Sequence, residues 1–191
     1  MMLLERLQLE RQLIVKQEAM TSEAKSKPDF RLPTASKWSA PHAVVDAGAG
    51  LIIATADVAA PPERVFQALT TDDVERWWGH PDFYRQTNWK ANLKVCGEWS
   101  VKVVFVDGDT NMGSGEFAEI DAARKLVMTR RFEKHPLQGA HEPTITYRLD
   151  PLANGSVTVR DEGCLGRSEA AFGNVEHWER VPGWLDAYLT H

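Results

Sequence analysis

The sequence predicts an α+β domain: a meander of antiparallel strands followed by one long C-terminal helix. Three observations predict it. From Leu51 onward, short apolar runs are separated by short polar turns, which indicates hairpins rather than crossover helices. Near the end the spacing changes: Ala171, Val175, Trp178, Val181, Leu185 and Tyr188 recur every three or four residues, as one face of a helix does. Between these patterns and the N-terminus the composition shifts, so the fold occupies only part of the chain.

Residues 2–20 favour helix by propensity, with Leu3, Leu7 and Ile14 on one face, but Glu10 and Arg11 interrupt the stripe. They read as a short partner helix or a frayed extension, and Met20 stands where an alternative start would lie. Residues 21–48 hold Ser, Lys, Pro and Ala and read as a linker, with Trp38 able to pin it locally. The expected division is an extension over 1–50, partly helical or disordered, and a domain over 51–191.

Leu51–Val58 is apolar and β-branched enough for a buried strand. Pro61 and Pro62 open a helix, where missing N–H groups matter least, and Val65, Phe66 and Leu69 give it one apolar face. Asp72, with Glu75 three residues on, reads as a capping pair for a second short helix that stops at Gly79. In the next strand Trp99, Val101, Val103 and Phe105 alternate with polar neighbours, and Asp107-Gly108 supplies a hairpin turn. Further strands are expected at 115–120, 126–132, 144–149 and 156–164. Ser168 is the candidate N-cap of the final helix, which Pro182-Gly183 should kink or split.

Several function classes are disfavoured. The formal net charge is −5, and the two parts of the chain differ: 7 Lys/Arg against 6 Asp/Glu through Gly50 (+1), then 15 against 21 (−6). An acidic domain is a poor partner for nucleic acid or for anionic membranes. No apolar run approaches the roughly 20 residues of a membrane span, and the start lacks the order of a signal peptide, so the cytoplasm is the default. Cys96 and Cys164 form no CxxC; they read as two buried thiols in a reducing compartment or as one disulfide in an exported protein. No HExxH, GxSxG or dinucleotide fingerprint occurs, no cofactor is expected, and nothing demands an enzyme.

The order of elements is carried by specific residues: the run Ala60-Pro61-Pro62-Glu63-Arg64-Val65-Phe66-Gln67-Ala68-Leu69-Thr70, then Trp77-Trp78-Gly79. Gly97-Glu98-Trp99, Gly115 with Glu119-Ile120, Leu126-Val127 and Gly183-Trp184-Leu185 follow. In this order they resemble the START-like, or SRPBCC, superfamily, and within it the heat-shock protein 90 ATPase activator homologue-like domains. The resemblance spans about Leu51–Leu189. One departure is Cys96, where the family often has the first of two glycines. The resemblance implies a helix-grip fold, with two short helices after the first strand and a curved antiparallel sheet wrapped around the C-terminal helix. It also implies a cavity between sheet and helix. Members bind hydrophobic small molecules, some contact chaperones, and a few are cyclases or hydrolases. Self-association is a further partner class. The fold alone does not choose among these.

On that fold the aromatic residues become the site. Seven Trp and seven Phe are present, and Trp78, Phe83, Trp99, Phe105, Phe117, Phe132, Tyr147, Trp178 and Trp184 fall in elements expected to face the cavity. An apolar pocket with a few polar groups is the usual small-molecule site, against the plainer reading of a filled core. Strand alternation sends Arg130 and Arg131 to opposite faces, so one of them can reach inward to a ligand carboxylate; Arg148 and Arg160 are further candidates. The expected ligand contacts are Trp78, Phe83, Trp99, Phe105, Phe117, Arg130, Phe132, Tyr147 and Trp178. His80, near the expected mouth, and His177, on the gripping helix, are the histidines placed for acid–base work. None of the six histidines has metal-ligand spacing.

Overall fold

In the computed structural model, residues 40–46, 48–134, 143–153, 155, 157–164 and 175–191 are described. The elements are β1 (His42–Asp46), β2 (Leu51–Val58), α1 (Pro62–Thr70), α2 (Val74–Trp77), β3 (Gly79–His80), β4 (Tyr84–Ala91), β5 (Glu98–Phe105), β6 (Thr110–Asp121), β7 (Lys125–Thr129), β8 (Arg131–Phe132), β9 (Thr144–Pro151), β10 (Val157–Cys164) and α3 (Val175–Thr190). All strand pairings are antiparallel, in the order β1-β2-β10-β9-β7-β6-β5-β4-β3, with β8 on β6. The first long strand thus pairs with the last. That closure requires the sheet to curl around α3, and the result is the helix-grip arrangement.

The sequence pattern explains the grip. Along β2 burial alternates strictly, with Ile52, Ala54, Ala56 and Val58 all at 0% exposure. Two of these four are alanines, so a helix can approach the strand closely. Trp178, Val181 and Leu185 of α3 join the same buried cluster, and α3 packs on β2 and β1 and reaches α2 and β3. Burying one such Leu removes apolar surface worth about 2 kcal/mol.

α1 begins as expected, with Pro61 at the N-cap and Pro62 at the first helical position. It ends on two threonines, whose hydroxyls donate to the carbonyls of Phe66 (2.8 Å) and Gln67 (2.9 Å). The expected capping pair does not form. α2 starts one residue later than Asp72 would set it, at Val74, and Asp73 makes no side-chain cap bond. Glu75 turns to β4 instead, where it accepts the Trp89 backbone N–H at 2.7 Å.

Three further differences from the sequence reading stand out. Residues 42–46, inside the span that composition reads as a linker, form a strand on β2; only Ala43 and Val45 pack inward, and Val44 between them is exposed. The strand expected over 126–132 breaks at Arg130, whose N–H donates to Pro143 O at 2.8 Å, giving β7 and β8. α3 runs continuously through Pro182 rather than splitting there. Pro182 is buried and the next residue, Gly183, lies against Pro41, so tertiary packing holds the helix where one backbone bond is lost. Ser168 and Ala171, expected at the start of this helix, lie outside the described residues.

Candidate functional site

Between the sheet and α3 lies a cavity of about 220 Å³. Four groups of side chains build it. Trp99, Val101, Val103 and Phe105 come from β5, on the face its alternation predicts. Met128, Arg130, Phe132 and Ile145 come from the β7–β9 side, and His177 and Trp178 from α3. The fourth group is Tyr84, Gln86 and Trp89, from a strand that hydrophobic alternation does not reveal. A register shift between Thr87 and Lys90, with Asn88 at φ 57°, inserts an extra residue. The bulge puts Trp89, not Asn88, in phase with Tyr84 and Gln86. Asparagine tolerates that left-handed conformation better than most residues, and that is the one signal the sequence carries.

Close backbone approach shapes the wall. A Cβ on Gly115 would stand 1.9 Å from Thr129 O and 2.8 Å from Trp99 Nε1, and one on Gly113 would stand 2.8 Å from the Phe132 ring. Glycine at both positions lets these rings lie on the sheet. The Trp99 indole then donates to Thr129 O at 3.1 Å and stacks on Trp89 at 5.6 Å.

The expected contacts divide. Trp78, Trp99, Phe105, Arg130, Phe132 and Trp178 line the cavity. Phe117 does not: it is core at 0% exposure. Tyr147 is also buried core, edge-on to Trp78 at 6.2 Å, and outside the lining. Phe83 faces solvent at 43% exposure, with the Arg180 guanidinium 4.7 Å above its ring. Arg131 points to the opposite, exposed face of the sheet, and Arg148 is exposed. The side chains of Arg160 and Cys164 lie outside the described residues. Cys96, expected to be buried, is exposed with a free thiol at φ 60°, the conformation glycine would take there. His80 sits near Trp184, ring to ring at 6.3 Å, and is not in the lining.

A polar cluster occupies one part of the cavity. The Tyr84 hydroxyl lies 3.4 Å from His177 Nε2, and the Trp78 side chain is hydrogen-bonded to the same phenol. The Arg130 guanidinium lies over Phe132 (5.4 Å) and Trp178 (5.5 Å), between the sheet and the helix. Burial first, then the Arg130 and Arg180 cations, push the His177 pKa down to about 4. Burial also raises the Tyr84 phenol, against smaller opposing effects of Trp78 and Arg130. Both groups are therefore neutral at neutral pH. A histidine of such low proton affinity is a weak general base, so the arrangement is better suited to hydrogen bonding than to proton abstraction. Among the described residues no cluster of His, Cys, Asp or Glu could hold a metal ion. No described helix is long and apolar enough to cross a membrane.

A curled antiparallel sheet gripping one long helix, with an aromatic cavity between them, defines the START-like class of helix-grip domains. Residues 59–190 match the model for the family described as activator of Hsp90 ATPase homolog 1-like protein, and the chain belongs to that family. Its fold is shared with a protein of Arthrobacter aurescens (22% identity, 80% of this chain and 92% of that one, TM-score 0.68). Proteins of Rhodobacter sphaeroides (16%, 80% and 99%, TM-score 0.67) and Mycobacterium smegmatis (18%, 77% and 94%, TM-score 0.65) are similar in the same way. No curated protein matches.

Proposed function

We propose that this domain binds a small, largely apolar molecule in the cavity between the sheet and α3. The observation that carries the reading is the cavity itself, which stays open although four tryptophans, Trp78, Trp89, Trp99 and Trp178, border it. Side chains of that size fill a core readily, so space left among them is a property of the arrangement. Linkage supplies the test: a ligand at a hundred times its Kd stabilises the fold by about 2.7 kcal/mol. A panel of small aromatic and lipid-like compounds should raise the melting temperature of the full chain, with the bound species visible by native mass spectrometry. No shift and no bound mass across the panel would refute the reading.

A second reading is a chaperone-interaction module, favoured by the family to which the chain belongs. Exposed apolar groups give it a surface: Phe83 (43%), Phe105 (38%) and Val106 (72%) lie together, tied by the Val106 N–H to Phe83 O at 3.2 Å. Adding the domain to Hsp90 and following ATP turnover tests it. An unchanged rate, with no complex on a sizing column, counts against it.

A further inference from the structure

Two polar groups on the inner face of β4 are buried without partners, and both border the cavity. Gln86 is 6% exposed and lines the cavity, and among the described residues its side-chain amide makes no hydrogen bond. The Trp89 indole N–H, which the bulge brings into phase with Gln86, is buried and has no acceptor. Val103 pairs with Gln86 on one side and with Asn111 on the other, so the two amides flank one small apolar residue of the lining. Asn111 is better served: its Oδ1 accepts the Lys134 N–H at 3.0 Å, and it is only half-buried, so water can reach its NH2 group. Arg130 stands outside this accounting, because it already has partners, the rings of Phe132 and Trp178 among them.

The unpartnered groups are uncharged, and their inventory is specific. The Gln86 amide offers an acceptor and donors side by side, and the Trp89 indole adds a donor. Burying such groups unpaired costs free energy that a ligand can recover. Their complement is a carbonyl, whose two lone pairs accept from Gln86 and Trp89, with one N–H beside it to donate to Gln86 Oε1. Asn and Gln side chains read the edge of a nucleobase through paired bonds of this kind. A carboxylate would leave Gln86 Oε1 without a donor. A primary amide would bring a second N–H for which neither group has an acceptor. An open-chain secondary amide holds its N–H and C=O trans, so having both on one edge implies a ring. A cavity of about 220 Å³ has room for about seven waters at ~30 Å³ each, which is the scale of one or two fused rings. Its walls are flat rings, with Trp89 stacked on Trp99 at 5.6 Å and Phe132 laid against Gly113.

We infer that the cavity takes an uncharged planar lactam of one or two rings, its N–H and C=O paired with the Gln86 amide and its carbonyl also accepting from the Trp89 indole. This rests on the proposed binding function and specifies the ligand class. The ring body gains from stacking and burial, and the lactam edge satisfies groups that the fold leaves open.

Three matched probes test it on the full chain by titration calorimetry: 2-quinolone, its N-methyl derivative, and coumarin, in which a ring oxygen replaces the N–H. All three share a flat two-ring body and the carbonyl, and they differ at the atom that meets Gln86 Oε1. The lactam 2-quinolone should bind about ten- to a hundredfold tighter than either of the others. Gln86→Met keeps the length of the side chain and removes the amide, and should bring 2-quinolone and coumarin within about twofold of each other. Trp89→Phe removes a donor that both complexes use, and should weaken both about three- to tenfold while preserving their ratio. Coumarin or the methylated lactam binding the wild-type protein as tightly as 2-quinolone overturns the lactam assignment and leaves the cavity reading standing. A preference for 2-quinolone that survives Gln86→Met does the same. Failure of all three probes to bind also overturns the assignment, and the broader compound panel then decides the cavity reading separately. The wild-type comparison needs no variant, so a misfolded substitution cannot obscure the result.

Discussion

At the scale of single residues, the site depends on groups held away from their ordinary chemistry. His177 is the clearest. Its pKa is about 4 in the fold, against 6.5 for the unperturbed group, because burial and two nearby arginines disfavour the charged ring. Above pH 6.5 the ring is neutral in both folded and unfolded chains and contributes no pH dependence. As pH falls from 6.5 towards 4, the unfolded chain takes up the proton and the folded one does not, so stability falls. The expected loss from this group between pH 7 and pH 5 is about 2 kcal/mol. Urea denaturation at the two pH values should show it, and His177→Gln should remove most of the difference. A slope unchanged in that variant would assign the effect elsewhere. Gly115 is a steric counterpart. Gly115→Ala would drive a methyl into Thr129 O and the Trp99 indole, and the β6–β7 seam would have to part. A loss of about 2–4 kcal/mol is expected, read as a lower urea midpoint.

At the scale of elements, the two short helices are locked to the gripping helix by one half-buried polar knot. The Tyr188 hydroxyl donates to Asp73 Oδ1 at 2.8 Å, and Arg64 donates to Asp73 Oδ2 at 2.7 Å and to the Tyr188 oxygen at 3.2 Å. Burial alone would raise the Asp73 carboxyl, but the bonds from Tyr188 and Arg64 outweigh it and hold it below the usual carboxylate range. Tyr188→Phe leaves the carboxylate short of a donor and should cost about 1–2 kcal/mol, with the largest loss of amide protection in α1 and α2 by hydrogen exchange. Uniform protection loss would show the knot to be unimportant locally. The same scale shows what the sequence makes legible. β2, α1, β5 and the Asp107-Gly108 hairpin follow from periodicity and turn chemistry, because one face of each is buried and the other wet. Arg130 and Arg131 do face opposite ways, but across a break between β7 and β8 rather than within the one strand expected. β4 does not follow, because its bulge breaks the period of two and its inward residues include a glutamine. Three of the lining residues, Tyr84, Gln86 and Trp89, are hidden for that reason. Phe117 and Tyr147 face inward as their patterns indicate, but alternation fixes a face, not a depth along the strand. It therefore cannot separate packed core from cavity wall.

At the scale of the whole molecule, the cavity is space that packing leaves unfilled. A close-packed interior at this position would add dispersion contacts that the present lining forgoes. The fold instead keeps space beside Val103, a residue buried at 5% exposure on the cavity face of β5. Val103→Phe extends a ring into that space from a position whose cross-strand neighbours are Gln86 and Asn111. If the cavity is kept open for a ligand, filling it should stabilise the unliganded protein and abolish binding together. A gain of about 1 kcal/mol corresponds to a rise of roughly 2–4 °C in Tm for a domain of this size. The two readouts separate the competing accounts. Higher Tm with lost ligand binding places the ligand in this cavity. Higher Tm with binding intact places it elsewhere on the molecule, the outer face of the sheet included, where a groove of about 750 Å³ runs past Lys90, Lys94 and Arg131. A lower Tm would mean that the space beside Val103 is narrower than one phenyl ring and is no room for an aromatic ligand.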